Sequence, residues 1–203
     1  MKTLARLLVV GMAMVVFPAT TFAALANTVV WEVRNDTGVN TNGGGFDSAQ
    51  SGTNYTYTTS QTFAYTDLVI GNPTTTQLSS ANRNFVAADD GNLINITSGT
   101  GFTTGRYQIN SISGGVATVD RSVGTAGSTG GNGTLGGALA TVGVGVTAMT
   151  IDQTLYVKNT GTNYSISATI TIPNLGINQY HTRIRGYQTT RGDAVVGGGG
   201  TRP

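Results

Sequence analysis

Four basic side chains near the C-terminal end of the chain have the types and spacing to bind an anionic ligand. His181, Arg183 and Arg185 occupy alternate positions, so on an extended strand they share one face, and Arg191 follows nearby. Guanidinium groups bind carboxylates through paired hydrogen bonds, so these residues predict a small cationic surface for an acidic polysaccharide or cell-surface glycan. The alternative is a solvated outer face of a strand, because exposed basic residues commonly have no partner.

The sequence predicts no catalytic constellation. The 203 residues include one histidine and no cysteine, so a histidine triad or metal cluster would depend on His181 alone. The glycine-rich stretches at 99–105 and 130–137 lack the lysine of a phosphate-binding loop. Adjacent Asp89 and Asp90 would face opposite ways on a strand, so we interpret them as turn formers and not as an acid–base pair. We therefore expect no catalytic residue, metal or cofactor, and a non-catalytic role is favoured.

Residues 1–26 have the organisation of an export signal. Lys2 and Arg6 precede an apolar run at 7–17, and Ala24-Leu25-Ala26 matches the small-x-small cleavage pattern, with cleavage expected before Asn27. An apolar run of this length is too short for a membrane span, which needs roughly 20 residues. We expect a secreted protein, extracellular or periplasmic, that has no membrane association after signal cleavage.

The charge balance argues against two classes of partner. Removal of Lys2 and Arg6 from the 11 basic residues leaves nine against 9 acidic residues, so the processed chain has no net charge. Nucleic acids and anionic membranes attract proteins with a marked positive charge, so neither is expected as a partner. Few charges and 30 glycines are typical of an all-β exported protein.

The segment 27–61 begins with a strand and a turn. Residues 28–34 alternate, with Val29, Trp31 and Val33 on one face. The following residues are rich in Asn, Asp and Gly, which favour tight turns. A calcium site is the alternative for the oxygen-bearing side chains here; they are Asp36, Asn40, Asn42 and Asp47.

Two further segments follow in the middle of the chain. Several short alternating runs predict a compact antiparallel β module over 62–123, with Gly114-Gly115 as a two-residue hairpin turn. The glycine-rich connection 124–147 is predicted as a flexible linker or a loose ladder of small side chains, with a short strand over residues 142–146. The tail, 194–203, is predicted to be disordered.

The segment 148–193 contains three β-like runs, at 154–157, 164–172 and 182–186. In the middle run four apolar side chains share one face and Ser and Thr share the other; the apolar set is Ile166, Ala168, Ile170 and Ile172. Strand, turn, strand, turn, strand is typical of one coil of a β-solenoid, whose apolar face is covered by the next coil.

Several stretches together resemble one family. The opening run WEVRNDTGVNTNGGGF, with LYVKNTGTNYSISATITIP and TRIRGYQTTRGD further on, resembles pectate-lyase-like right-handed parallel β-helix proteins. The stretch between them, beginning FVAADDGNLINITSGTGF, resembles a small β insert of phage-like and environmental members. The resemblance implies an all-β chain in which a short-stranded β module precedes the start of a right-handed parallel β-helix, truncated after about one coil.

The same resemblance implies two alternatives for function. One is a secreted, non-catalytic scaffold or surface and glycan-attachment protein, as a fragment of a longer family member. The other is a polysaccharide lyase or hydrolase whose catalytic coils are missing from this chain, since no position matches a catalytic motif of the family. An exposed terminal coil also predicts a homo-oligomer, because an open edge pairs readily with another strand.

Overall fold

The computed structural model describes residue 25 and residues 28–47, 62–150, 152–166, 169–170, 182–188 and 191. It contains a closed six-stranded antiparallel barrel and a four-stranded mixed sheet. The barrel strands are β3 (Phe63–Ile70), β4 (Gln77–Ser79), β5 (Leu93–Ser98), β6 (Gly105–Ser113), β7 (Val116–Val119) and β8 (Thr129–Leu135). The sheet strands are β1 (Val29–Val33), β2 (Gly45–Asp47), β9 (Thr154–Lys158) and β10 (Arg183–Tyr187). A helix, α1 (Val142–Ala148), and a 3-10 turn (Ala87–Asp89) complete the described elements.

The barrel has the strand order β3-β4-β7-β6-β5-β8, so β8 closes it by pairing with both β3 and β5. Five of the six strands fall within 62–123, where antiparallel strands were predicted. The hairpin at Gly114 and Gly115 has positive φ at both residues, 58° and 81°, as a tight β6–β7 turn requires. The interior of the barrel is filled by buried apolar side chains; the largest are Tyr65, Tyr107, Phe85, Leu68, Ile70, Leu78, Ile94, Ile96 and Ile109.

The glycine-rich segment supplies the closing strand. A Cβ at Gly131 would lie 2.5 Å from the Phe102 ring, and one at Gly133 would lie 2.9 Å from the Asn95 carbonyl oxygen. Small residues therefore let β8 approach its neighbours closely, and the barrel then has no free edge. Residues 129–135, predicted as part of a linker or loose ladder, form a strand that pairs with both β3 and β5.

The all-β class is confirmed, but the parallel β-helix is wrong. The strands of 62–135 close on one another in an antiparallel barrel and do not stack as coils. Three strands of the other sheet, β1, β9 and β10, are parallel, but the order β10-β9-β1-β2 ends in an antiparallel strand. This is a mixed sheet with one helix on it and not the start of a solenoid. Because closure of the barrel satisfies its own edges, it needs no further coil.

The middle run of the predicted coil also differs. Residues 164–166 and 169–170 are not in a strand, and Ile166 is 64% exposed, so the predicted inward face is wrong at this position. Ile170 does pack on the core beneath the sheet, whereas Ala168 and Ile172 lie outside the described residues. At its described positions β10 forms one edge of the sheet, and association through that edge stays a prediction.

A second core, here called the sheet core, lies between α1 and the mixed sheet. The predicted face of β1 is confirmed, since Val29, Trp31 and Val33 are all fully buried there. Trp31 Nε1 donates to the side-chain oxygen of Gln153 at 2.7 Å, which joins β1 to the start of β9. Leu93 of barrel strand β5 also packs in the sheet core, so the two units share apolar surface.

Backbone hydrogen bonds form the junction between barrel and sheet. The Gly43 and Gly44 amides donate to the carbonyls of Gly136 and Gly137 at 2.8 and 3.0 Å. A Cβ at Gly43 would lie 2.0 Å from the Leu93 carbonyl oxygen, so only glycine fits at this approach. The chain therefore leaves the sheet after β2 and returns beside it after β8.

The helix α1 occupies residues predicted as a short strand. Thr141 caps it by accepting from the Val144 amide at 3.4 Å. Gly145 faces the sheet, where an added Cβ would lie 2.8 Å from Val33 Cγ2 and 2.9 Å from Leu155 Cδ1. Close packing of helix on sheet therefore decides the conformation of this alternating Val-Gly stretch. In the described part of the chain, no helix has the length and apolar character needed to cross a membrane.

The two glycines of α1 give a matched test of this packing. Gly143→Ala adds a Cβ whose nearest contact is Ile170 Cγ1 at 4.0 Å, so we expect a gain of about 0.5–1 kcal/mol in unfolding free energy from helix propensity. Gly145→Ala should lower it by about 1–3 kcal/mol through overpacking against the sheet. Urea denaturation measures both; shifts of the same sign and size would contradict the docking of α1.

Candidate functional site

The four predicted glycan-binding residues have different environments. His181 lies outside the described residues. Arg183 and Arg185 are exposed on the same side of β10, and Arg183 Nη1 lies 3.9 Å from Asp152 Oδ1. Arg191 points instead to the sheet, where it pairs with the buried carboxylate of Glu32. Arg183 and Arg185 therefore lie at the surface, whereas Arg191 is part of the packing.

Glu32 lies at the centre of a polar cluster on the face of the sheet opposite α1. It is 0% exposed. The Tyr187 hydroxyl donates to Oε1, and Arg191 donates from Nε and Nη2 to Oε2 at 3.1 and 3.0 Å. The Arg191 guanidinium also lies 4.8 Å from the Phe46 ring centre and 5.0 Å from that of Tyr156. This Glu32 cluster connects Arg191 to strands β1, β2, β9 and β10.

Burial controls the electrostatics of the cluster. Loss of water around the carboxyl raises the pKa of Glu32 from 4.5 to about 7, against the lowering effects of the Arg191 charge and the Tyr187 hydrogen bond. Burial, together with the hydrogen bond to Glu32, raises the pKa of Tyr187 above its ordinary value. Glu32 therefore changes its charge near neutral pH.

The Glu32 cluster is structural rather than catalytic. A general acid or base must reach the substrate within hydrogen-bonding distance, whereas Glu32 is enclosed by Tyr187 and Arg191. A perturbed carboxyl marks an active site only when it faces a cleft. Among the described residues, no group of three His, Cys, Asp or Glu side chains could hold a metal ion.

An open cleft of about 270 Å³ lies where β9 and β10 end, and we call it the β9–β10 cleft. It is lined by Val157, Lys158, Asn159, Thr162, Asn163, Tyr164, Gly186 and Tyr187. The Tyr164 hydroxyl donates to the Lys158 carbonyl at 2.7 Å and accepts from the Asn35 amide at 3.3 Å, which fixes the ring. Burial raises the pKa of Tyr164, so the ring carries a neutral hydroxyl.

The turn that forms one wall of the cleft is attached to the end of β1. The Asn35 side-chain nitrogen Nδ2 donates to the carbonyls of Thr162 and Asn163 at 3.3 and 3.2 Å, and the Thr160 hydroxyl donates to Asn35 Oδ1. Gly161, with φ of 80°, allows the reversal of the chain. The side chains of Asn159 and Asn163 are exposed at this wall, and Asn159 Oδ1 accepts from the Gly161 amide at 3.0 Å.

The oxygen-bearing residues of the first turn serve the fold. Asp36 pairs with Arg34 at 2.8 Å, and the Arg34 guanidinium lowers the pKa of that carboxyl. Asn40 Oδ1 accepts from the amides of Ala140 and Thr141, both at 3.1 Å. Asn42 donates to the Ala138 carbonyl at 2.9 Å. These partners favour the turn interpretation over calcium ligation.

Asp89, the first of the two adjacent aspartates, belongs to a partly buried hydrogen-bond network. Asp89 is buried and accepts two bonds of 2.8 Å from Arg83, which in turn donates to the Tyr65 hydroxyl at 2.7 Å. Asp89 also accepts from the Val86 amide at 2.9 Å, as a residue that caps a turn does. Burial raises the pKa of Tyr65 to about 12, so the tyrosine is neutral here. This network covers part of the barrel and has no catalytic geometry.

Sequence reasoning did not single out Glu32, Tyr164 or Tyr187. A signal for Glu32 was present, because it is the only glutamate in the chain and lies within the apolar run TVVWEVR. A lone ionisable residue in such a run is either on a solvated face or buried with a partner. The alternation by itself is consistent with a solvated face. Tyr187 and Arg191, the partners that bury Glu32, lie 155 and 159 residues away in the sequence, so the local pattern does not reveal them.

Comparisons with known proteins give no relative from which a role can be transferred. No protein-family model, no curated protein and no solved structure matches the chain. The resemblance to pectate-lyase-like proteins is thus contradicted by the fold and has no family match behind it. Function must be inferred from the chemistry of the β9–β10 cleft and its surroundings.

The different environments of two arginines can be tested by substitution. Arg191→Ala should lower the unfolding free energy by about 3 kcal/mol at about pH 8, because it leaves the buried Glu32 carboxylate unpaired. Arg185→Ala, which removes an exposed guanidinium from the same region, should change it by less than about 0.5 kcal/mol. Chemical denaturation of both variants measures the difference. Equal losses would show that Arg191 has no special partner.

Proposed function

We propose that this chain is an exported, non-catalytic binding protein that attaches to acidic glycans through the β9–β10 cleft and the exposed side of β10. The observation that carries the proposal is the lining of the cleft. It combines two exposed asparagine amides, a threonine, a lysine and a fixed tyrosine ring around an open volume of about 270 Å³. Sugars offer many hydroxyl groups and one apolar ring face, so amides and aromatic rings are suitable partners.

The acidic character of the ligand is inferred from the neighbouring strand. Arg185 directly precedes the cleft residue Gly186, and Arg183 is on the same side of β10. Arg185 is exposed and has no ion pair within the described part of the chain. Guanidinium groups bind carboxylates in a paired geometry, so a uronate-containing chain lying along β10 would meet both arginines.

The composition of the cleft favours binding over catalysis. None of the described lining residues is a carboxylate, a histidine or a cysteine. Hydrolysis of a glycosidic bond usually needs a pair of carboxylates beside the scissile bond, and the described lining supplies neither of them. The alternative of a β-helix lyase or hydrolase depended on an architecture that this chain does not have, so we do not propose it.

Binding to acidic polysaccharides tests the proposal. The purified protein should be retained by polygalacturonate or alginate in affinity electrophoresis, and retention should weaken as salt rises. Arg185→Gln and Asn163→Ala should each weaken binding by about tenfold while the melting temperature is unchanged, since each removes one direct contact.

Asn110→Ala is the matched control, because Asn110 is an exposed asparagine on barrel strand β6. It should bind like the unsubstituted protein. An uncharged dextran serves as the ligand control and should give weaker retention. Absence of retention on every acidic polysaccharide, or equal loss in all three variants, would refute the proposed site.

A further inference from the structure

We propose that β10, together with Arg191, is a pH-gated strand that docks firmly over Glu32 in acid and loosens as the pH rises to neutral. This inference concerns the docking of the strand and is independent of what the β9–β10 cleft binds. It follows from the way in which β10 is attached and from the buried carboxyl of Glu32 that the attachment covers.

The attachment of β10 depends on few apolar contacts. The strand pairs only with β9 in the described structure, and its first four residues are exposed. Tyr187 is its one buried side chain, and the hydroxyl of that residue donates to Glu32. Arg191 adds the second contact, with its side chain 11% exposed and held between the rings of Phe46 and Tyr156. Locally weak elements with such attachments open more readily than the core.

The groups that face Glu32 come from each neighbouring element. Arg34 lies just beyond the end of β1 and is paired with Asp36. Tyr156 of β9 contacts Tyr187 edge to face, with ring centres 6.2 Å apart, and also contacts Arg191. The pKa of Glu32 is raised to about 7, whereas that of Tyr187 is raised further from neutrality and that of Asp36 is lowered.

The docking of β10 depends on pH because the pKa of Glu32 differs between the docked state and a lifted state, in which β10 has moved away from Glu32. In the docked state the Glu32 pKa is about 7, and a lifted β10 would admit water and return it towards the ordinary value of 4.5. Between these values the docked state holds a proton that the lifted state releases. Docking is therefore fully favoured below about pH 4.5 and is weakened as the pH rises through about 7, by up to tenfold per unit of pH.

Arg191 reduces the weakening of β10 docking at higher pH but does not abolish it. Its charge lowers the pKa of Glu32, but desolvation by burial remains the larger effect. Above neutral pH the carboxylate is charged and buried, so the ion pair becomes necessary for docking. In weak acid the carboxyl is neutral, so docking does not require the ion pair, and the Tyr187 hydroxyl still donates to the carboxyl.

The titration of Glu32 can be observed directly, because it is the only glutamate in the chain. Glutamate labelled with ¹³C at Cδ would give one carboxyl resonance in the intact protein. The expected result is a midpoint near the value of about 7 for the docked carboxyl. A midpoint below about 5 would overturn the proposal, since Glu32 would then be charged throughout the neutral range.

Hydrogen exchange tests the docking itself. After correction for intrinsic rates, amides of residues 183–187 should be protected at least about tenfold more at about pH 5.5 than at about pH 8.5. Amides of β5 and β8 serve as the internal reference and should show no such change. In Glu32→Gln the pH dependence of β10 should disappear, because the side chain no longer ionises.

His181→Gln is the second control, because the one histidine also titrates in this range. It should keep the pH dependence of the unsubstituted protein. If the dependence disappears in His181→Gln and persists in Glu32→Gln, the histidine is responsible and the proposal fails. Should Glu32→Gln not fold, the ¹³C titration and His181→Gln still decide the matter.

Discussion

The mixed sheet depends on the burial of one carboxylate. Removing a charged group from water costs several kcal/mol unless hydrogen bonds and an opposite charge replace the lost solvation. Glu32 receives that replacement from Tyr187 and Arg191, both of which come from the C-terminal side of the sheet. A hydrophobic residue at this position would pack without requiring either partner. In the observed register the Tyr187 hydroxyl and the Arg191 guanidinium both reach the carboxyl, so its burial links β1 to the C-terminal side of the sheet.

Glycine is the second constraint, and it acts by permitting close approach. At Gly131 and Gly133 it lets β8 close the barrel, at Gly145 it lets α1 contact the sheet, and at Gly43 it brings the two units together. In each case the nearest atom lies 2.0–2.9 Å from the position that a Cβ would occupy. At these four positions glycine therefore permits close packing against a neighbouring backbone or side chain.

Much of the fold could be predicted from local patterns. The alternation of Val29, Trp31 and Val33 identified a buried face of β1, and Gly114-Gly115 identified the β6–β7 hairpin. Both features depend on neighbouring residues alone. The parallel β-helix was inferred from three alternating runs and a resemblance. Two of the runs form the parallel strands β9 and β10, whereas the described residues of the middle run are not in a strand. Local alternation does not specify whether successive strands stack or close into a ring.

The remaining errors share one physical origin. The stretch 142–148 alternates as a strand does, yet it is helical because Gly145 meets Val33 and Leu155, which are distant in sequence. Arg191 was grouped with the exposed arginines because its partner lies 159 residues earlier. The cleft was missed for the same reason, since Asn35 holds its wall from more than 120 residues away. Contacts of this range cannot be seen in a single sequence without an alignment.

The junction after β2 and β8 has a consequence for the order of assembly. The first strand of the sheet is separated from β9 by the entire barrel, and Trp31 meets Gln153 across 122 positions. Closing a loop of that length costs entropy and slows folding. A barrel that forms first would bring its two ends together at Gly43 and Gly136, so that β1 and β9 meet as though joined by a short connection. We therefore expect β1 to be synthesised first but to pair with β9 only after the barrel has folded. Folding of the barrel shortens the effective loop between β1 and β9 and so speeds formation of the sheet.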